Sequence, residues 1–172
     1  MRTILVLLLY LAASSCLQAQ KLNSEQIEKF ADAQFAKAIS DFRTLLSIPN
    51  DAHFHEDIKK NIAWMQEAFT KRNFEVELLE TEGEIPIMLA SNTYPKAGKT
   101  VLIYLQADGQ PVDKTKWFQE HPFTPVLKAQ DESGNWEIID WNNLDGDIDE
   151  EWRVFARAAA DAKGPIIMFL AA

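Results

Sequence analysis

Apolar residues recur at Ile27, Phe30, Ala31, Phe35, Ile39, Phe42, Leu45 and Leu46, a spacing that gathers them on one stripe of a helix. Asn23, with Gln26 three residues on, has the form of a capping box at the start of that helix. Pro49 ends it, because the residue before a proline is biased away from helical dihedrals. A second helix is predicted from about Glu56 to Lys71, with Ile58, Ile62, Met65, Ala68 and Phe69 facing inward and Asn73 suited to a left-handed cap.

Strand-like periodicity follows. Phe74 to Glu80 alternates apolar and charged residues, as a strand with one wet face does, and Ile85 to Ala90 is a further strand. Thr100 to Leu105 is apolar enough to be predicted central in a sheet covered on both sides. Asn92 to Gly98 is turn-like, and Trp136 to Asp140 is compatible with a strand. Helix, helix, three strands and a strand-to-helix join near Gly164 indicate an α/β layered domain.

The 172 residues carry a formal net charge of −9 and no dense Lys/Arg run, which argues against nucleic acid or an anionic membrane surface as the main partner. The N-terminus has the form of a signal peptide over residues 1–19: Arg2, an apolar run from Ile4 to Ala13, and a cleavage site at Leu17-Gln18-Ala19. Secretion, to the periplasm or outside the cell, is the expected localisation. The alternative takes Ala13-Ser14-Ser15-Cys16 as a lipoprotein box that anchors the protein through Cys16. Cys16 is the only cysteine, so cleavage after Ala19 leaves no disulfide and no thiolate chemistry.

Two polar segments carry the candidate chemistry. The Thr100–Leu105 run ends in Gln106-Ala107-Asp108-Gly109-Gln110-Pro111, and residues 157–165 read Arg-Ala-Ala-Ala-Asp-Ala-Lys-Gly-Pro. With Asp113, Trp117 and the run His121 to Val126 between them, they resemble the N-terminal part of the dinuclear zinc metallopeptidases that include carnosinase-type dipeptidases, aminoacylase and glutamate carboxypeptidase. The resemblance implies an incomplete three-layer catalytic domain over residues 20–172, with a mixed, mostly parallel sheet flanked by helices. It implies two zinc ions and hydrolysis of a small peptide or an N-acyl amino acid. It also implies a homodimer in a full-length form.

Carried over residue by residue, the resemblance puts Gln106 where the family has a metal-binding His. It makes Asp108 the residue that orients the ligand from behind, and Asp161 the carboxylate that bridges the two metals. Gln106 is a departure, since an amide oxygen is a harder and weaker donor than the imidazole a zinc site wants. Ala158 and Ala162 are two more, standing at the first Gly of the family's Arg-Gly-x-x-Asp-Asp-Lys-Gly pattern and after the bridging Asp. Read without the resemblance, Gln106-Ala-Asp108 is a polar strand end, and Asp161 is a helix N-cap with Gly164 and Pro165 in the first turn. The Glu-Glu pair, the remaining ligands and the lid domain of the family are not found in the sequence, so the chain is expected to be a fragment of a longer protein.

Other features are expected to be structural. His53 and His55 lie between the helices at a position where the family keeps no ligand. His121 belongs to loop architecture. Trp117, Phe118 and Phe123 are expected to pack under the site's rim, and Phe30, Phe35 and Phe42 in the core. Asp145, Asp147 and Asp149 alternate around Gly146, but the loop lacks the Gly and Glu that shape an EF-hand and reads as a solvated insertion. No phosphate-cradling loop, Gly-x-Ser-x-Gly elbow or dinucleotide fingerprint is present. Because of Gln106, a non-catalytic descendant that kept the fold as a binding module stands as the alternative to the hydrolase.

Overall fold

The computed structural model describes residues 23–172; the expected signal peptide and Cys16 lie outside the described residues. The chain divides into two compact units after Ala33. In the first, the expected capping box is formed: the Gln26 amide donates to Asn23 Oδ1 at 2.8 Å, and the Asn23 amide donates to Gln26 Oε1 at 3.0 Å. These bonds satisfy two donors at the start of helix α1 (Ser24–Leu46). Ile27 and Phe30 on this part of the helix are exposed, so the expected apolar stripe is not core there.

In the second unit the stripe is buried only from Ala38 and Phe42 onward, reaching full burial at Leu45 and Leu46. Helix α2 (His55–Thr70) places Ile58, Ile62, Met65, Ala68 and Phe69 in the core, as their spacing predicts. Asn73 takes the left-handed conformation, φ 63°, after that helix. Helix α3 (Gly164–Ala171) closes the core with Ile166, Ile167 and Leu170. Phe69 stacks with Phe169 at 5.8 Å between ring centroids and meets Phe74 edge-on at 5.2 Å.

The sheets differ from the expectation. Strands β1 (Glu75–Leu79) and β2 (Ile87–Ser91) form an antiparallel pair with Glu77 opposite Leu89. Strands β3 (Val126–Gln130), β4 (Trp136–Ile139) and β5 (Arg153–Phe155) form a second antiparallel sheet in the order β4-β3-β5. The expected α/β three-layer domain with a mixed, mostly parallel sheet is therefore overturned. The only parallel pairing among the described residues is a single bridge between Asp51 and Gly109. Short connections favour this outcome: a tight turn can join antiparallel neighbours, whereas a parallel pair needs a long crossover. Thr100–Leu105 forms no strand, and among the described residues no hydrogen bond reaches its backbone.

Lys128 explains why β3 escapes an apolar pattern search. Its side chain is buried in the strand, with Nζ 4.4 Å from the Phe155 ring centroid and 4.5 Å from that of Phe118. Burial lowers its pKa. Phe118 is itself exposed, so of the three aromatic residues expected to pack inside only Phe123 is fully buried, with Trp117 half-buried. In the Trp141–Asp145 turn Trp141 and Leu144 are half-buried, while Asn142, Asn143, Asp145 and the acidic residues after it are exposed, as a solvated loop has them. No helix among the described residues is long and apolar enough to cross a membrane.

Candidate functional site

The two polar segments are joined through the stretch that follows α1. The Gly109 amide donates to Asn50 O at 2.7 Å, and the Ala52 amide donates back to Gly109 O at 3.0 Å. Asn50 is buried, and its Nδ2 donates to Ala107 O at 3.0 Å, which fixes the backbone on either side of Asp108. From the other segment, Lys163 Nζ donates to Leu45 O at 2.8 Å and also to Ile48 O. Asn61, buried on α2, donates through Nδ2 to Pro49 O at 2.7 Å. Two of these buried side chains, Lys163 and Asn61, thus serve the backbone between Leu45 and Pro49, while Asn50 reaches from the end of that stretch to Ala107 O.

A direct link completes the arrangement. Arg157, at the head of the second segment, donates from Nη2 and Nε to Gln110 O at 3.0 and 3.2 Å. Residues 47 apart in sequence are thereby held in contact within one unit.

Two glycines show how tightly the join is packed. A Cβ on Gly109 would lie 2.9 Å from Asn50 Nδ2, and one on Gly164 would lie 2.5 Å from Ala159 O. Both glycines fall inside the two segments, so close backbone approach accounts for the residue type. Ala158, where the family pattern has Gly, is buried and left-handed at φ 67°.

The carboxylates themselves face outward. Asp108 and Asp161 are exposed and Gln106 is half-buried, with its Nε2 donating to Asp108 O at 3.3 Å. Asp161 is extended (φ −124°, ψ 101°), is followed by a cis peptide, and makes no capping bond. The N-cap of α3 is Lys163, so the reading of Asp161 as an ordinary N-cap fails, while Gly164 and Pro165 do form the first turn. Lys163 is 1% exposed, and burial pushes its ammonium down to about 7.

One pair near the segments was not expected. Asp51, bridged to Gly109, accepts from the His53 amide and contacts His53 Nδ1, both at 2.9 Å from its Oδ1. The His53 backbone bond holds the Asp51 carboxyl below its ordinary range, and the His53 ring and the Arg157 charge act in the same direction. The imidazole is exposed. Its nearness to Gly109 comes from a long-range bridge that no local spacing announces. His55 instead engages Glu84 at 2.8 Å, so the two histidines serve different carboxylates rather than one ion.

As a metal site the set is incomplete. A zinc sphere wants four N, S or carboxylate donors. Among the described residues no group of three His, Cys, Asp or Glu side chains converges on a common point. Two carboxylates and an amide do not fit zinc unaided, and no chemical step is derived through it. A shallow groove, about 150 Å³, lies against α1 and is lined by Phe35, Ile39, Arg43, Trp141, Leu144 and Asp145, among others; it includes none of Gln106, Asp108 or Asp161. Compared with known proteins, the chain matches no family model, no curated protein and no solved structure.

Proposed function

We propose that this sequence belongs, in its family-level role, to a secreted or periplasmic metal-dependent hydrolase of small amide bonds, acting on a small peptide or an N-acyl amino acid. Asp161 is the proposed zinc ligand, Asp108 its supporting carboxylate, and Gln106 a weakened ligand position. The reading rests on the motif resemblance and not on sheet topology. The single observation that supports it is the Arg157–Gln110 contact, which joins the two segments that carry these residues. Because the described residues supply too few donors, the 172-residue chain by itself is expected to be inactive.

A binding module without catalysis is the second reading. Gln106 favours it, since its amide is bonded to the neighbouring Asp108 carbonyl and offers a poor donor for zinc. The two readings separate on the zinc content of the purified protein, of Asp161→Asn and of Gln106→His, each assayed against dipeptides. Zinc held by the native protein and lost in Asp161→Asn supports the hydrolase. A native protein without zinc, whose Gln106→His variant gains it, supports the binding module. Zinc held equally by the native protein and by Asp161→Asn removes Asp161 from the site.

A further inference from the structure

Arg43 and Asp145 are opposite charges that line the same groove and do not pair with each other. The groove lies within the second unit, between one face of α1 and the Trp141–Asp145 turn. Phe35, Ile39 and Arg43 share that face because they are spaced four residues apart. Phe35, Ile39, Trp141 and Leu144 are the apolar walls. Neither charged side chain has an ion-pair or hydrogen-bond partner among the described residues, whereas Lys37 on the same helix closes on Asp41 at 2.7 Å.

Both charges are held from the side. Arg43 Cζ lies 4.4 Å from the centroid of the Trp141 ring, a contact that steadies the guanidinium and consumes none of its N–H donors. Asp145 ends a turn that is pinned at its start, where Asp140 Oδ1 accepts from the Asn142 amide at 2.7 Å and Asn143 Nδ2 donates to Asp140 O at 2.8 Å. An apolar hollow of about 150 Å³ takes a body the size of benzene, which is the size of a leucine or phenylalanine side chain. The guanidinium calls for a carboxylate and the Asp145 carboxylate for an ammonium. A plain anion is disfavoured, because Asp147, Asp149, Glu150 and Glu151 follow in the same loop, and a plain cation leaves Arg43 without a partner. A zwitterion with an apolar body satisfies both charges and the walls together.

We propose that this groove binds a free amino acid with an apolar side chain, its carboxylate on Arg43, its ammonium on Asp145 and its side chain against Phe35, Ile39, Trp141 and Leu144. The groove contains none of the residues proposed for zinc, so the inference does not depend on the hydrolase reading and its test is run in chelator.

Ligand-observed NMR titration of the whole chain with L-leucine, with isocaproate, which lacks the amine, and with isoamylamine, which lacks the carboxylate, tests each charge separately. Leucine is expected to bind with a Kd below about 1 mM, and each analogue about tenfold more weakly. Arg43→Gln is expected to weaken leucine about tenfold without weakening isoamylamine, and Asp145→Asn to weaken leucine about tenfold without weakening isocaproate. Both positions are exposed, so thermal melts of the two variants are expected to match the wild type. No leucine binding up to about 10 mM, an analogue that binds as tightly as leucine, or a leucine affinity unchanged in either variant would each overturn the proposal. So would a variant that weakens the analogue it is expected to spare.

Discussion

Lys163 gives the structure a signed dependence on pH. Its Nζ is buried between the end of α1 and the start of α3, where Leu45 O and Ile48 O accept from it. A neutral amine still offers two donors, so both bonds survive loss of the proton. Folding lowers the pKa from an ordinary 10.5 to about 7, so between those values the unfolded chain binds more protons and stability rises with pH. Worked through linkage, the rise from pH 7 to pH 9 is about 2 kcal/mol. At a urea m-value of about 2 kcal/mol/M, that moves the unfolding midpoint up by about 1 M.

Lys163→Met removes the titrating group and takes the donor from Ile48 O, while Leu45 O keeps the Ile48 amide at 3.2 Å. Its midpoint should be flat over the same range and below wild type at pH 9, the gap widening with pH by about 2 kcal/mol. Urea titrations of both proteins at pH 7, 8 and 9, followed by tryptophan fluorescence, measure this. A wild-type midpoint that is flat or falls, or an equal slope in Lys163→Met, would refute the assignment of Lys163 as a buried, neutralised amine.

The same join makes two further predictions. Gly109→Ala should cost about 1–3 kcal/mol by driving a methyl into Asn50 and breaking its bond to Ala107, and Gly164→Ala should cost more because the obstruction is the Ala159 carbonyl rather than a movable side chain; thermal melts rank them. Asn61→Ala should lose about 1–2 kcal/mol by leaving Pro49 O unpaired, and hydrogen exchange should quicken around residues 50–52, with an unchanged pattern there counting against the role given to Asn61.

Local signals were readable in the sequence and long-range ones were not. The Asn23/Gln26 box, the inward face of α2 and the cap at Asn73 depend on residues a few positions apart, and each is found as expected. Strand pairing depends on distant partners. Thr100–Leu105 has the composition of a central strand and no partner among the described residues, while β3 hides behind Lys128, a buried cation held between two rings. The candidate site divides in the same way. Motif spacing picked out Asp108, Asp161 and the two glycines, but the Asp51–His53 pair enters only through the bridge to Gly109.

Whether Gln106 and Asp161 belong to one metal site is decided by zinc-binding isotherms on four proteins: wild type, Gln106→His, Asp161→Asn and the double variant. An imidazole in place of the amide should tighten zinc binding at least about tenfold, and that gain should vanish when Asp161→Asn is added, because the two groups would share an ion. A gain that survives Asp161→Asn, or no gain at all from Gln106→His, would contradict a shared site.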